Sequence, residues 1–171
     1  SDVCSSDLDI RKEYQLHQLS EGEAAADPID QFAIWWDNAI EARIEEVNAM
    51  TLATIAKDGK PSARVVLLKG FDKNGFVFFT NYNSDKGKEI AAHPVVAMNF
   101  FWKELERQVR ITGNIKKIST EASAEYFHSR PLGSQIGAWS SPQSQVIANR
   151  DFLEKNFAAQ TEKYKDGIVP L

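Results

Sequence analysis

Two turn signals, Lys57-Asp58-Gly59-Lys60 and Asp72-Lys73-Asn74-Gly75, constrain the fold of this chain more than any other feature. They separate three short apolar runs, Met50 to Ala56, Ala63 to Phe71 and Phe76 to Thr80. Gly after Asp or Asn accepts the positive φ of a tight hairpin turn, so the runs are expected as antiparallel strands. Four successive apolar residues, Val65 to Leu68, predict that the second strand is buried on both faces. Val95 to Trp102 reads as a fourth strand and Gln108 to Ile118 as a fifth. In the last, Val109, Ile111, Gly113 and Ile115 alternate with Arg110, Thr112, Asn114 and Lys116, giving one apolar and one polar face.

Helices are expected around these strands. Asp27 reads as an N-cap with Pro28 at the first helical position. Ile29, Phe32, Trp36, Ile40 and Ile44 then recur at helical spacing to about Val47. Asp85 to Ala92 reads as a short helix capped by Ser84 or Asp85 and ended by His93-Pro94. Ser119-Thr120-Glu121 opens a helix through about Ser129, a polar loop spans Pro131 to Gln145, and a last helix runs from about Ala148 to Tyr164. Residues 1–9 read as a foreign or disordered leader, and residues 10–26 as a short helix or arm. Residues 10–171 are expected to form a single domain. The fold class is α+β and β-rich, with antiparallel strands flanked by helices. A barrel is attractive because closure removes exposed strand edges.

Composition narrows the function. The chain has 171 residues, 43% hydrophobic and 26% charged, which excludes disorder throughout. No apolar run reaches the ~18 residues of a membrane span. Lys and Arg number 20 against 24 Asp and Glu, a net charge of −4, which disfavours broad nucleic-acid binding but allows a local basic pocket for a small phosphate. Cys4 is the only cysteine, so neither a disulfide framework nor a Cys-based zinc site is expected. The expected compartment is the cytosol.

Four clusters could carry chemistry. Arg64 and Lys69 bracket the apolar run Val65-Val66-Leu67-Leu68; both cations suit phosphate, and the plainer reading is two charges snorkelling at strand ends. Asn83-Ser84-Asp85-Lys86 precedes a helix whose N-terminus suits a phosphate, with Lys86 adding charge; alternatively it is an ordinary capped helix. Gln108 offers an amide for reading a heterocycle edge, or is a solvated strand start. Tyr126 and Arg130 lie four apart on one helical face, with Ser134 in the loop beyond; together they make a plausible phosphate clamp. His128 falls on another face and is expected to be structural. There is no GxGxxG, Walker A, HExxH or GxSxG motif, no nucleophile–base pair, and no metal site among three scattered histidines. A chain without reactive groups of its own points to a cofactor.

The chain resembles the pyridoxamine/pyridoxine 5′-phosphate oxidases. The resemblance is carried by Arg64-Val65-Val66-Leu67-Leu68-Lys69, Phe79-Thr80-Asn81, Leu105-Glu106-Arg107-Gln108-Val109, Tyr126-Phe127-His128-Ser129-Arg130-Pro131 and Ser134-Gln135-Ile136-Gly137-Ala138-Trp139. It extends over nearly all of the chain from about Ile10. It implies a split β-barrel that forms a homodimer with FMN at the interface. It implies FMN contacts by Arg64, Val65, Val66, Leu67, Leu68, Lys69, Phe79, Thr80, Lys86, Gln108, Gln143 and Ser144. Lys69, Tyr126, Arg130 and Ser134 would clamp the substrate phosphate, and Arg11, Lys12, Glu13 and Tyr14 would form a substrate-contacting arm. The implied reaction oxidises pyridoxamine or pyridoxine 5′-phosphate to pyridoxal 5′-phosphate, with O2 reoxidising the flavin.

Two departures stand out. Many members carry Arg-Lys where this chain has Asp85-Lys86, so Asp85 is expected to cap the helix rather than bind phosphate. The family also continues past Val169-Pro170-Leu171 into a segment with an Arg-Leu-His-x-Arg motif, so the chain is expected to be cut short and no catalytic residue is assigned in it. A non-catalytic FMN- or pyridoxal-phosphate-binding module, or an inactive fragment of the oxidase, is the alternative.

Overall fold

The computed structural model describes residues 13, 15, 16, 18–165 and 167–171. The leader, Cys4 and three of the four arm residues (Arg11, Lys12 and Tyr14) lie outside the described residues.

Helix α1, Pro28–Glu41, starts as expected: the Asp27 carboxylate accepts from the backbone N–H of Ile29 and Asp30, with Pro28 in the first turn. It ends six residues before Val47. Ile44 N–H bonds to Ala39 O and Arg43 N–H to Ile40 O, while Arg43 takes a left-handed φ of 53°. This is a Schellman closure with arginine where glycine is usual, so no residue in the sequence marks the stop.

Strands β1 (Ala49–Ile55), β2 (Pro61–Leu67), β5 (Val95–Trp102) and β6 (Arg107–Asn114) form an antiparallel sheet in the order β2-β1-β5-β6. Strands β3 (Gly70–Asp72) and β4 (Gly75–Val77) form a separate hairpin. The run expected as one strand to Phe71 is therefore two. The chain leaves β2 at Leu68, whose N–H bonds to Asn48 O, and Lys69 N–H then pairs with Val77 O. The third run is ordered as strand only to Val77, and the fifth only to Asn114.

The second strand is not buried on both faces. It is a sheet edge, and its residues alternate: Val66 packs on the core while Val65 is 66% exposed. Helical residues outnumber strand residues, so the fold is mixed α/β rather than β-rich.

One face of the sheet buries Met50, Leu52, Met98, Phe100 and Trp102 against α1. Phe32 is the hub. Its ring meets Phe71 and Phe76 edge-on at 4.8 and 4.9 Å and lies 5.2 Å from Phe100. The hairpin and the sheet thus share one aromatic core, and such offset and edge-on pairs add stability beyond area burial.

Helix α2, Asp85–Ala92, is capped by Ser84, whose Oγ accepts from Gly87 N–H. Asp85, expected as a possible cap, is instead the first helical residue. Gly87 permits a close approach: a Cβ there would lie 2.3 Å from the Tyr82 carbonyl oxygen.

Helices α3 (Thr120–Ser129), α4 (Leu132–Ser140) and α5 (Arg150–Lys163) make a second layer with its own small core of Phe127, Ile136 and Val169. Helix α4 falls in the segment expected as a loop. Its N-cap, Pro131, makes no side-chain cap bond, and Gly133, Ser134 and Gly137 are weak helix formers, which hides it. His128, expected to be structural, donates from Nε2 to Val169 O at 3.0 Å. Trp139 Nε1 donates to Pro170 O at 2.8 Å.

Candidate functional site

Three segments far apart in the chain converge on one open cleft of about 430 Å³. β2 supplies Ser62, Arg64 and Val65, the first turn and a half of α2 supply Asp85, Lys86 and Glu89, and the turn after α4 supplies Gln143 and Ser144. Five of the expected cofactor residues, Arg64, Val65, Lys86, Gln143 and Ser144, therefore meet. Arg64 and Lys86 are the cations. Lys86 Nζ donates to Gln143 Oε1 at 3.2 Å and to Ser84 Oγ at 3.4 Å. Burial, then the Arg64 charge, holds the Lys86 ammonium below the usual lysine range, partly offset by Asp85 and Glu89. Ser144 has a left-handed φ of 61°, and strain of this kind in a non-glycine residue concentrates at working sites.

Arg64 is fixed from several sides. Its Nη1 donates to Leu52 O at 3.2 Å and to Thr54 Oγ1, and its Nη2 to Glu89 Oε2 at 2.9 Å. Thr54 Oγ1 donates in turn to Glu89 Oε2, and Ser62 Oγ to Glu89 Oε1 at 2.9 Å. These bonds, led by the Thr54 hydroxyl, hold the Glu89 carboxyl below the usual carboxylate range. Sequence reasoning missed Thr54, Ser62 and Glu89. Ser62 and Arg64 are two apart on a strand and so share a face, which is the one signal available; the partner across α2 has none.

A second group forms beside the hairpin. Phe79 stacks on Tyr126 with ring centroids 3.6 Å apart and planes 7° apart, and Lys69 Nζ lies 5.9 Å from the Tyr126 ring centroid. Lys69 also borders an apolar cleft of about 540 Å³ with Trp36, Asn48, Leu68 and Phe71. Thr80 Oγ1, next to Phe79, is buried without a hydrogen-bond partner.

Other expected residues are placed differently. Val66 and Leu68 turn their side chains into the core, so only their backbone could meet a ligand. Leu67 is exposed on the opposite sheet face. Arg130 does not continue the helical face of Tyr126. It is the extended C-cap of α3, its carbonyl accepts from Gln135 Nε2 at 2.8 Å, and its guanidinium lies 5.9 Å from the Phe127 ring centroid. Ser134 sits half-buried in the first turn of α4, not in a loop. Gln108 is exposed on β6, opposite Phe101 and at the far edge of the sheet from β2. Three strand spacings separate it from Arg64, roughly 14 Å, so one chain does not bring it to the cleft. Glu13 is exposed and accepts from Gln15 Nε2. Among the described residues no group of three or more His, Cys, Asp or Glu could hold a metal ion, and no helix is long and apolar enough to cross a membrane.

Residues 36–163 match the sequence profile of the family described as pyridoxamine 5′-phosphate oxidase. The chain is 51% identical over 162 residues to a pyridoxine/pyridoxamine 5′-phosphate oxidase of Acaryochloris marina, covering 95% of this chain and 74% of that one. It is 54% identical over 163 residues to the protein of that name from Leptospira interrogans, covering 95% and 76%. Among solved structures, PhzG from Burkholderia lata 383 aligns with a TM-score of 0.82 at 24% identity, over 88% of this chain and 74% of that one. A Nostoc punctiforme FMN-binding protein aligns at 0.60 and 17%, over 76% and 72%. These two likenesses show the fold alone.

Proposed function

Because the chain belongs to the pyridoxamine 5′-phosphate oxidase family, we propose that it binds FMN and oxidises pyridoxamine or pyridoxine 5′-phosphate to pyridoxal 5′-phosphate. The observation that carries this reading is the convergence of Arg64, Lys86, Gln143 and Ser144 on one cleft at the start of α2. Two cations, a hydroxyl, an amide and the positive end of a helix dipole are the donor set a phosphomonoester needs. The residues present therefore fit the phosphate end of FMN. The Thr80 hydroxyl, buried with no hydrogen-bond partner and next in the chain to Phe79, is a further donor the cofactor could use.

When bound, FMN would supply the redox chemistry, the two-electron oxidation of the substrate at its C4′ carbon with O2 as the final acceptor, reduced to hydrogen peroxide. The protein's share is orientation. Arg64 and Lys86 hold the cofactor phosphate. Lys69, with Tyr126, Arg130 and Ser134, holds the substrate phosphate and so aims C4′. Lys69 is anchored for this by its own N–H on Val77 O. Asp85 faces the cleft edge and weakens anion binding there; Lys88, 3.7 Å from it, offsets that charge.

The same reading takes a split barrel completed by a second copy of the chain. Val65, Phe101, Val95 and Ile55 leave an apolar face of the sheet exposed, and Gln108 reaches a cofactor only across such an interface. The expected compartment is the cytosol.

The test is reconstitution with FMN followed by oxygen uptake with each substrate. Oxygen-dependent formation of pyridoxal 5′-phosphate supports the enzyme. FMN retention without turnover supports a binding module instead, and no FMN retention overturns the cofactor assignment.

A further inference from the structure

We propose that Glu89 is a positioning residue that sets the Arg64 guanidinium for the phosphate of a ligand in the cleft, an inference that rests on reading that cleft as a phosphate site. The geometry is a closed ring. Arg64 Nη1 donates to the Thr54 hydroxyl, that hydroxyl donates to Glu89 Oε2, and Arg64 Nη2 donates to the same oxygen. Ser62 occupies the other carboxylate oxygen. The ring fixes the plane of the guanidinium and uses three of its five N–H donors, counting the bond to Leu52 O. Among the described residues no other acceptor meets the guanidinium, so two donors are left for a ligand.

The ring also answers a charge problem. Arg64 and Lys86 line one cleft, and Arg64 works against the charge on Lys86. The Glu89 carboxylate, bonded to Arg64 and acting also on the Lys86 charge, lets both cations stay at short range. The side chains of Arg64 and Glu89 are only 22% and 12% exposed, so screening by water is limited. Thr54 is fully buried on β1 and Glu89 projects from α2. The network therefore ties the helix that presents Lys86 to the strands that present Arg64. A purely structural tie and a positioning role differ in what they do to a ligand that lacks the phosphate.

The experiment compares FMN with riboflavin, which has the same ring system and no phosphate, by quenching of flavin fluorescence on the full chain. Glu89→Ala is expected to raise the FMN Kd about tenfold and leave the riboflavin Kd unchanged. Glu89→Gln, whose amide oxygen still accepts from Arg64, restores most of the loss. In Arg64→Ala, adding Glu89→Ala costs nothing further. Thr54→Val opens the same ring without changing charge and lowers the preference for FMN about threefold, which keeps the test decisive if Glu89→Ala does not fold. An unchanged or improved FMN preference in a wild type that discriminates, or equal loss of both ligands, overturns the inference alone. A wild type that binds both flavins equally overturns the phosphate reading of the cleft, and this inference with it.

Discussion

Among the described residues Arg130 is held at the end of α3 by its place in the chain rather than by an ion pair: its carbonyl accepts from Gln135, and its guanidinium lies beside Phe127. The backbone can keep this position when the side chain is removed. Arg130→Ala is accordingly expected to raise the KM for the phosphorylated substrate about 10- to 100-fold, as loss of a charged hydrogen bond implies, with little change in melting temperature. Steady-state kinetics check it, and an unchanged KM refutes the clamp. Lys86 gives a pH prediction. Its ammonium is pushed below the ordinary lysine range, first by burial and then by Arg64, so it loses its charge as pH rises through that lowered value. FMN affinity should therefore fall with rising pH, with a midpoint below that of an unperturbed lysine, near 10.4. Lys86→Arg should abolish the decline. Flavin fluorescence titrations between neutral pH and about 10 decide this.

Helix α2 is the element on which the cleft turns, and its approach to the Asn81–Tyr82 backbone depends on Gly87. Gly87→Ala puts a methyl 2.3 Å from the Tyr82 carbonyl oxygen and 2.8 Å from that of Asn81. Both neighbours are backbone, so the helix must lift. The expected cost is about 1–3 kcal/mol, read as a lowered Tm together with weaker FMN binding. Gly133→Ala in α4, where nothing lies within 4 Å of the new methyl, should be neutral or stabilising by up to about 1 kcal/mol.

Elements were legible where a cap, a turn or a period announced them. Asp27-Pro28, Ser119 and the two Gly-bearing turns each carry a local instruction. They were illegible where the instruction was absent: Arg43 closes α1 in a conformation usually left to glycine, and α4 is built on residues that disfavour helix. The site divides in the same way. Arg64 and Lys86 show as cations beside a strand and a helix start. Their convergence with Gln143 and Ser144, and the Thr54–Ser62–Glu89 network behind Arg64, arise from packing between segments that the chain separates by as many as about 80 residues. The four apolar residues Val65 to Leu68 misled because an edge strand with an uncovered outer face has the same composition as a buried one.

That uncovered face sets the expectation for the whole molecule. Phe101 is 57% exposed on it, away from the core and from the cleft on β2. The wild-type chain is expected to run at twice its 19.2 kDa mass in light scattering, and Phe101→Asp at the single mass. A wild-type monomer would sink the dimer reading. A different consequence follows from the two separate cores. The sheet and hairpin gather around Phe32, while the helical layer gathers around Phe127, Ile136 and Val169. Contacts that join them include Phe79 on Tyr126, Lys69 beside that ring and Lys86 on Gln143, all candidate site residues. The seam between the two cores thus coincides with the candidate site, and each core is expected to unfold as its own unit. A flavin seated there acts as mortar: calorimetry of the ligand-free chain should show two overlapping transitions, and saturation with FMN should fuse them into one at higher temperature.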